Sequence, residues 1–219
     1  IDYSNGNGYI NTEEELDNAL ATYQVGGTPR LGDFLYVDVN EDGVIDEKDQ
    51  APIKYSDIPR ITYGFSGSVN WKNFDFSFLF SGIAKASRVY TGWGATEFGL
   101  VGFYSDYHLQ AWTAERYANG EEIKYPALAS SPGTSQKAND FFIMDRSFLR
   151  LKNLMISYTF PQEWMKKTNF FTNARIYAQG QNLLTFTKFS GLDPEAFTNM
   201  YQAQYPMSRQ YSFGLELSF

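Results

Sequence analysis

The chain has 219 residues, with 25 acidic and 18 basic side chains, a formal net charge of −7, one histidine and no cysteine. This balance speaks against a basic phosphate-binding surface, so no nucleic-acid partner is expected, and it excludes disulfides and thiolate metal sites. Aromatics make up 18% of residues, yet mean hydropathy is −0.39 and no apolar run approaches the ~18 residues of a membrane-spanning helix, a combination that suits half-exposed strands.

Near the start, "TEEELDNALATY" (residues 12 to 23) places Glu15 three positions after Thr12. That is a capping box, and it predicts a short helix. The next motif, "DVNEDGVIDEKD", sets Asp38, Asn40, Asp42, Asp46 and Asp49 at positions 1, 3, 5, 9 and 12 of an EF-hand-type loop. Gly43 takes the sixth place and Val44 would offer its carbonyl at the seventh. A hard cation such as Ca²⁺ wants six to eight oxygens, and glycine permits the sharp turn that gathers them. Two readings stay open: a structural Ca²⁺ site, or a turn in which Asp and Asn cap backbone amides.

The first strand pair lies in "ITYGFSGSVNWKNFDFSFLFSG". Tyr63, Phe65, Val69 and Trp71 share one parity; after Lys72-Asn73 the apolar parity switches to Phe74, Phe76, Phe78 and Phe80. A two-residue hairpin requires that switch, because the residues flanking the turn are cross-strand partners. Residues 82 to 147 then make a long excursion. Within it, "GWGATEFGLVGFYSDYHLQAW" gathers Trp93, Tyr104, Asp106, Tyr107 and Trp112, aromatic faces and carboxylates of the kind that bind a sugar; self-packing of a long loop is the competing reading. His108, the only histidine, reads as a polar loop residue.

Two further alternating runs follow. Leu154, Ile156, Tyr158 and Phe160 alternate with Met155, Ser157 and Thr159, and Ile176, Ala178, Leu184 and Phe186 oppose Arg175, Tyr177, Gln179 and Gln181. Residues 161 to 173 form a moderate link, and residues 189 to 206 a second long one, in which "SGLDPE" reads as a turn. The closing "RQYSFGLELSF" alternates from Tyr211 to Phe219. Strands of roughly 9 to 15 residues exceed the soluble mean of about 5 to 6 and match the membrane-spanning range. The fold expected is therefore all-β: strands of a large antiparallel transmembrane β-barrel, with 1–60 as an outer loop segment and 61–219 as strands carrying the loops 82–147 and 189–206. A soluble β-sandwich is the alternative. No pair of acids declares itself as glycosidase machinery, so no enzymatic activity is expected.

The segments "GDFLYVDVNEDGVIDEKDQ", "IPRITYGFSGSVNWKNFDFSFLFSG", "DRSFLRLKNLMISYTFP", "IYAQGQNLLTFTKFSGLDPE" and "YPMSRQYSFGLELSF", in this order, resemble the C-terminal part of SusC/RagA-like TonB-dependent outer-membrane transporters. The resemblance implies that the chain is a C-terminal fragment of a barrel, with the rest of the parent barrel and outer-membrane lipid as neighbours. It also implies long extracellular loops, a periplasmic C-terminus, and a terminal aromatic, Phe219, read as an insertion signal. The implied partners are a SusD-like surface lipoprotein and TonB, the latter through a missing N-terminal part. The implied cargo is a nutrient, an oligosaccharide in the first instance, with a peptide as the other choice. The soluble alternative becomes a calcium-stabilised carbohydrate-binding β-domain.

Overall fold

The computed structural model describes residues 1–52, 54–89, 104, 106–129, 133–137, 139–167, 170–191, 193–195 and 207–219, with nothing of the Tyr107 side chain. Helices are short: α1 (Glu13–Thr22), α2 (Ala114–Ala118) and α3 (Gln162–Lys166). The strands are β1 (Ile61–Trp71), β2 (Phe74–Ala84), β3 (Ser87–Val89), β4 (Ile143–Asp145), β5 (Phe148–Thr159), β6 (Asn173–Thr187) and β7 (Gln210–Ser218). None of the helices is long and apolar enough to cross a membrane. Five strands form one sheet in the order β1-β2-β5-β6-β7, all pairs antiparallel, while β3 and β4 make a two-stranded pair. Among the described residues no further strand pairs with either edge of this sheet.

The hairpin at Lys72-Asn73 forms as the parity switch requires. Trp71 pairs with Phe74, their rings stack 6.4 Å apart, and Lys72 takes the left-handed φ of +56° that a two-residue turn demands. From there one apolar face runs across all five strands. Tyr63, Phe65 and Val69 on β1 continue into Phe76, Phe78 and Phe80 on β2, then Leu151, Leu154 and Ile156 on β5. Ile176, Ala178 and Leu184 on β6 and Phe213 and Leu215 on β7 complete it. The opposite face carries Ser66, Ser68, Asn70, Asp75, Ser77, Arg150, Asn153, Ser157, Gln179, Arg175 and Glu216.

One local irregularity keeps that division intact. Leu149 and Leu151 have odd numbers and Leu154 and Ile156 even ones, so a regular strand would put them on opposite faces. The pairing of β5 with both neighbours shifts between Leu151 and Asn153, leaving Lys152 outside the ladder; β6 answers with Asn182 at a φ of +53°. The bulge brings Leu149 and Leu151 onto the same apolar face as Leu154 and Ile156.

Two compact units emerge. One is built mainly from Ile1–Lys54 and Val89–Ile143, the other from Tyr55–Arg88, Met144–Phe197 and Gln204–Phe219. The sequence division at residue 60 kept the loop 82–147 with the strands; these units group most of it with residues 1–54. The physical reason is a shared core: Tyr9 and Phe34 from the first segment pack with Ala111, Trp112, Tyr125 and Phe142 from the second. The link at 161–173 also contains a helical turn, α3, not foreseen from its composition.

In the loop-built unit α1 starts as expected. Thr12 Oγ1 accepts the Glu15 amide at 3.2 Å, and the Glu15 carboxylate reaches back to the Thr12 amide. Tyr9 stacks on Phe34 at 5.4 Å, and the buried Asp33 carboxylate accepts hydroxyl hydrogen bonds from Ser135 at 2.8 Å and Thr134 at 3.2 Å. A carboxylate at this depth is tolerable because those donors and the Arg30 amide satisfy it.

Candidate functional site

The sequence-predicted sugar-binding residues do not share one fate. Trp112 is 7% exposed, and its indole N–H donates to Asn11 at 3.0 Å. The ring belongs to the core of the loop-built unit and presents no open face to a sugar, which corrects the expectation for this residue. Tyr104 stands 63% exposed and Asp106 is exposed beside it, while Trp93 and the Tyr107 side chain lie outside the described residues. His108 is not a loop polar residue either. It is buried, edge-on to Tyr125 at 4.5 Å and to Tyr104 at 5.6 Å.

At residues 38 to 49 the carboxylates turn inward onto the loop's own amides. Asp38 accepts from the Gly43 amide at 2.7 Å, Asn40 from Asp42 at 3.1 Å, Asp42 from Val44 at 3.0 Å and Asp46 from Lys48 at 2.7 Å. Asp49, in the twelfth position, accepts from Val39 at 2.8 Å and Asp46 at 2.7 Å; these amides, Asp46 foremost, hold its carboxyl below the usual range. Gly43 has a φ of +83°, which strains any side-chain-bearing residue. The Lys48 ammonium lies 3.3 Å from Asp46 and 3.9 Å from Asp42. Among the described residues no three acidic or histidine side chains converge as a metal cage. As folded, the loop is a carboxylate-capped turn, tied to the end of α1 by Ile45, whose amide and carbonyl bond Thr22 and Gln24.

The polar face of the sheet carries the chemistry that the sequence did not announce. Arg150 is 3% exposed and donates to Asp193 at 2.8 Å, Glu195 at 2.8 Å and Thr185 at 2.9 Å. Lys152, freed by the bulge, donates to Glu195 at 2.6 Å. Burial pushes the Asp193 carboxyl up, but hydrogen bonds from Arg150 and the Glu195 amide outweigh it and leave the group below the ordinary carboxylate range. Arg146 extends the network: its Nε donates to the Pro194 carbonyl at 3.0 Å and its Nη1 to Asp57 at 2.6 Å, while Arg88 reaches the other Asp57 oxygen at 2.9 Å. The Arg88 hydrogen bond first, then Arg146, holds Asp57 low against desolvation. The "SGLDPE" turn is thus a buried electrostatic clamp, fastening residues 193 to 195 to the polar face of β5.

Further along that face a second chain of bonds crosses the sheet. Asp75 accepts from Asn70 and from Ser157 at 3.1 Å, Arg175 donates to Ser157 at 2.9 Å, and Glu216 lies 3.6 Å from Arg175. Gln179 donates to Asn153 at 3.0 Å. Each acid here faces a cation or an amide, while the buried Arg175 Nε has no hydrogen-bond partner among the described residues.

A sheet of long antiparallel strands, apolar on one face and hydrogen-bonded and charged on the other, has the alternation found in outer-membrane β-strand proteins. No family model matches the chain. It is 30% identical over 211 residues to TonB-dependent receptor P3 of Formosa agariphila, covering 90% of this chain and 20% of that protein. With TonB-dependent receptor SusC of Bacteroides thetaiotaomicron it shares 29% over 187 residues, 84% of this chain and 17% of that one. Among solved structures the RagAB peptide transporter superposes with a TM-score of 0.69 at 32% identity, over 86% of this chain and 21% of that one. The RagAB peptide importer in its closed-closed state gives 0.61 at 35%, over 76% and 18%. The chain belongs with the SusC-like TonB-dependent receptors, a class of outer-membrane proteins. It spans about a fifth of the length of the curated relatives it matches.

Proposed function

We propose that this chain is part of the barrel wall of an outer-membrane importer, with its apolar face to lipid and its polar face to a wet lumen. The observation that carries the reading is the unbroken apolar face over five antiparallel strands of 9 to 15 residues. In this orientation the hairpin at Lys72-Asn73 and the Phe219 end are periplasmic, and the loop-built unit and residues 189–206 are extracellular. Those outer segments are the parts able to meet a SusD-like lipoprotein, and energy would arrive through TonB by a part of the receptor outside this chain.

The cargo proposed is an oligosaccharide. Exposed Tyr104 beside Asp106 supports it, offering a ring face and a hydroxyl acceptor. A peptide is the competing cargo, favoured by the likeness to the RagAB peptide importer. Growth of a strain lacking the parent receptor on single glycans and on peptides separates them: loss of growth on a glycan alone supports the first, and loss on peptides alone overturns it. Co-purification of the intact receptor should bring down a surface lipoprotein; its absence would remove the lid from the proposal. A parent that stays soluble and monomeric without detergent would void the wall reading itself.

Calcium at residues 38–49 belongs to the same proposal, in a structural role supported by the ligand spacing. A cation there would take the place that the Lys48 ammonium holds between Asp42 and Asp46. Protection of the loop from proteolysis by Ca²⁺, lost in Asp42→Ala, is the expected result, and equal cleavage with Ca²⁺ or chelator leaves only the capped turn.

A further inference from the structure

We propose that the apolar face carries a lipid site at its turn end: a trough that seats one acyl chain of an anionic phospholipid, with Lys72, Lys166 and Lys167 meeting its phosphate. The inference rests on the wall reading above, since only that reading exposes this face to lipid.

The trough has a volume of about 580 Å³ and opens to the surface. Its floor is Ala178, exposed and flanked in register by Ile156 on β5 and Phe213 on β7. A small side chain between two large ones leaves a groove, and Ile176 with Leu215 and Phe74 with Tyr158 wall it toward the turns. Apolar walls of mixed aliphatic and aromatic side chains over an alanine floor fit a flexible hydrocarbon chain.

The headgroup end is marked by aromatics and then by cations. Tyr158 packs on Phe74 at 4.7 Å and on Phe160 at 5.2 Å, and Phe160 lies 6.1 Å from Trp164 of α3. Trp71 stacks on Phe74 and carries the Lys72 ammonium 4.9 Å above its ring. Amphipathic rings of this kind sit at the level of lipid headgroups, and lysines beyond them place charge in the interface while their stems cover apolar surface. Lys166 and Lys167 follow Trp164 and are exposed. Although the chain as a whole carries −7, the two turn segments hold these three lysines against Glu163 alone. Local positive charge at the mouth of an apolar trough on a lipid-facing wall selects a negatively charged headgroup.

The test uses the full-length parent receptor, purified in detergent, stripped of lipid and offered phosphatidylglycerol or phosphatidylcholine of identical chains, with bound lipid counted by native mass spectrometry. Wild type should retain phosphatidylglycerol preferentially. Each of Lys72→Gln, Lys166→Gln and Lys167→Gln should weaken that retention about fivefold, in line with the usual attraction of a basic residue to an anionic surface. Ala178→Phe, which fills the trough from an exposed position, should lose retention while the receptor still assembles as a heat-modifiable barrel; Ala178→Leu, a smaller intrusion, should lose part of it. Equal retention of both lipids by wild type, or undiminished phosphatidylglycerol on Ala178→Phe, overturns the site and leaves the wall reading standing. A parent that needs no detergent overturns the wall reading instead.

Discussion

In the loop-built unit Ile10 and Phe34 are buried to within 1% while Glu13 and Glu14 stand in solvent; in the sheet unit Phe213 is 83% exposed and Trp71 62%, while Arg150 and Ser157 are buried. The first pattern is that of any water-soluble core. The second is inverted, and over a contiguous face of five strands it cannot be scattered surface hydrophobes. One chain thus obeys two solvents. Its excursions pack as small globular structure, whereas its strands expose apolar side chains along one face and hold hydrogen-bonded charges on the other, the division that the proposed wall between hydrocarbon and water requires.

Substitutions can break this contrast. Phe34→Ala should have the largest effect, about 3 to 5 kcal/mol, because it empties an aromatic core. Limited proteolysis of the intact receptor should then show early cleavage in residues 1–54 and normal barrel assembly; a loss of assembly would mean the two units do not answer to separate solvents.

On the polar face Arg150→Met should cost about as much, 3 to 5 kcal/mol, by leaving Asp193 buried without its cation. The double variant Arg150→Met with Asp193→Leu should recover most of it, read as the urea midpoint in lipid vesicles. The clamp also predicts a pH dependence. Asp193 is held below its ordinary value of 3.8 in the folded state, so its contribution is complete above that value and is lost as pH falls below it. Hydrogen exchange at the Glu195 amide, which donates to the Asp193 carboxylate at 2.9 Å, should stay protected at pH 5 and rise under stronger acid; constant protection would remove the ion pair from the account.

On the apolar face, proposed to meet lipid, Phe78→Arg should cost about 2 to 4 kcal/mol and impair assembly, while its neighbour Ser77→Arg is tolerated. Equal tolerance of the two would reverse the faces. The smallest effect expected is for Thr12→Ala, about 1 kcal/mol, which removes the cap of α1 and should fray only the start of that helix in hydrogen exchange.

Much of the wall was legible because strands write their faces into residue parity. The Trp71–Phe74 pair, the Phe74 to Phe80 run and the Tyr211 to Phe219 alternation each sufficed to set a register. The bulge at Lys152 was not, since one unpaired residue changes the parity without changing the composition; the clash between Leu151 and Leu154 is the signal that could have revealed it. The clamp was hidden for another reason. Arg150 and Asp193 are 43 positions apart, and each looks like an ordinary polar residue until the fold joins them. Trp112 misled because an aromatic in a long loop reads the same whether it faces a ligand or a core.

The strands of the sheet follow one another in chain order, β1-β2-β5-β6-β7, and this meander has a consequence for how such a wall can diversify. Every strand lies beside its predecessor in the sheet, so the residues between β2 and β5 close a loop rather than thread one. Closing a loop of doubled length adds only about 0.6 kcal/mol of chain entropy. Insertions, deletions and wholesale exchange of that excursion are therefore thermodynamically cheap beside any change to the strands. The sequence of that excursion can drift quickly while the ladder of the sheet keeps its register.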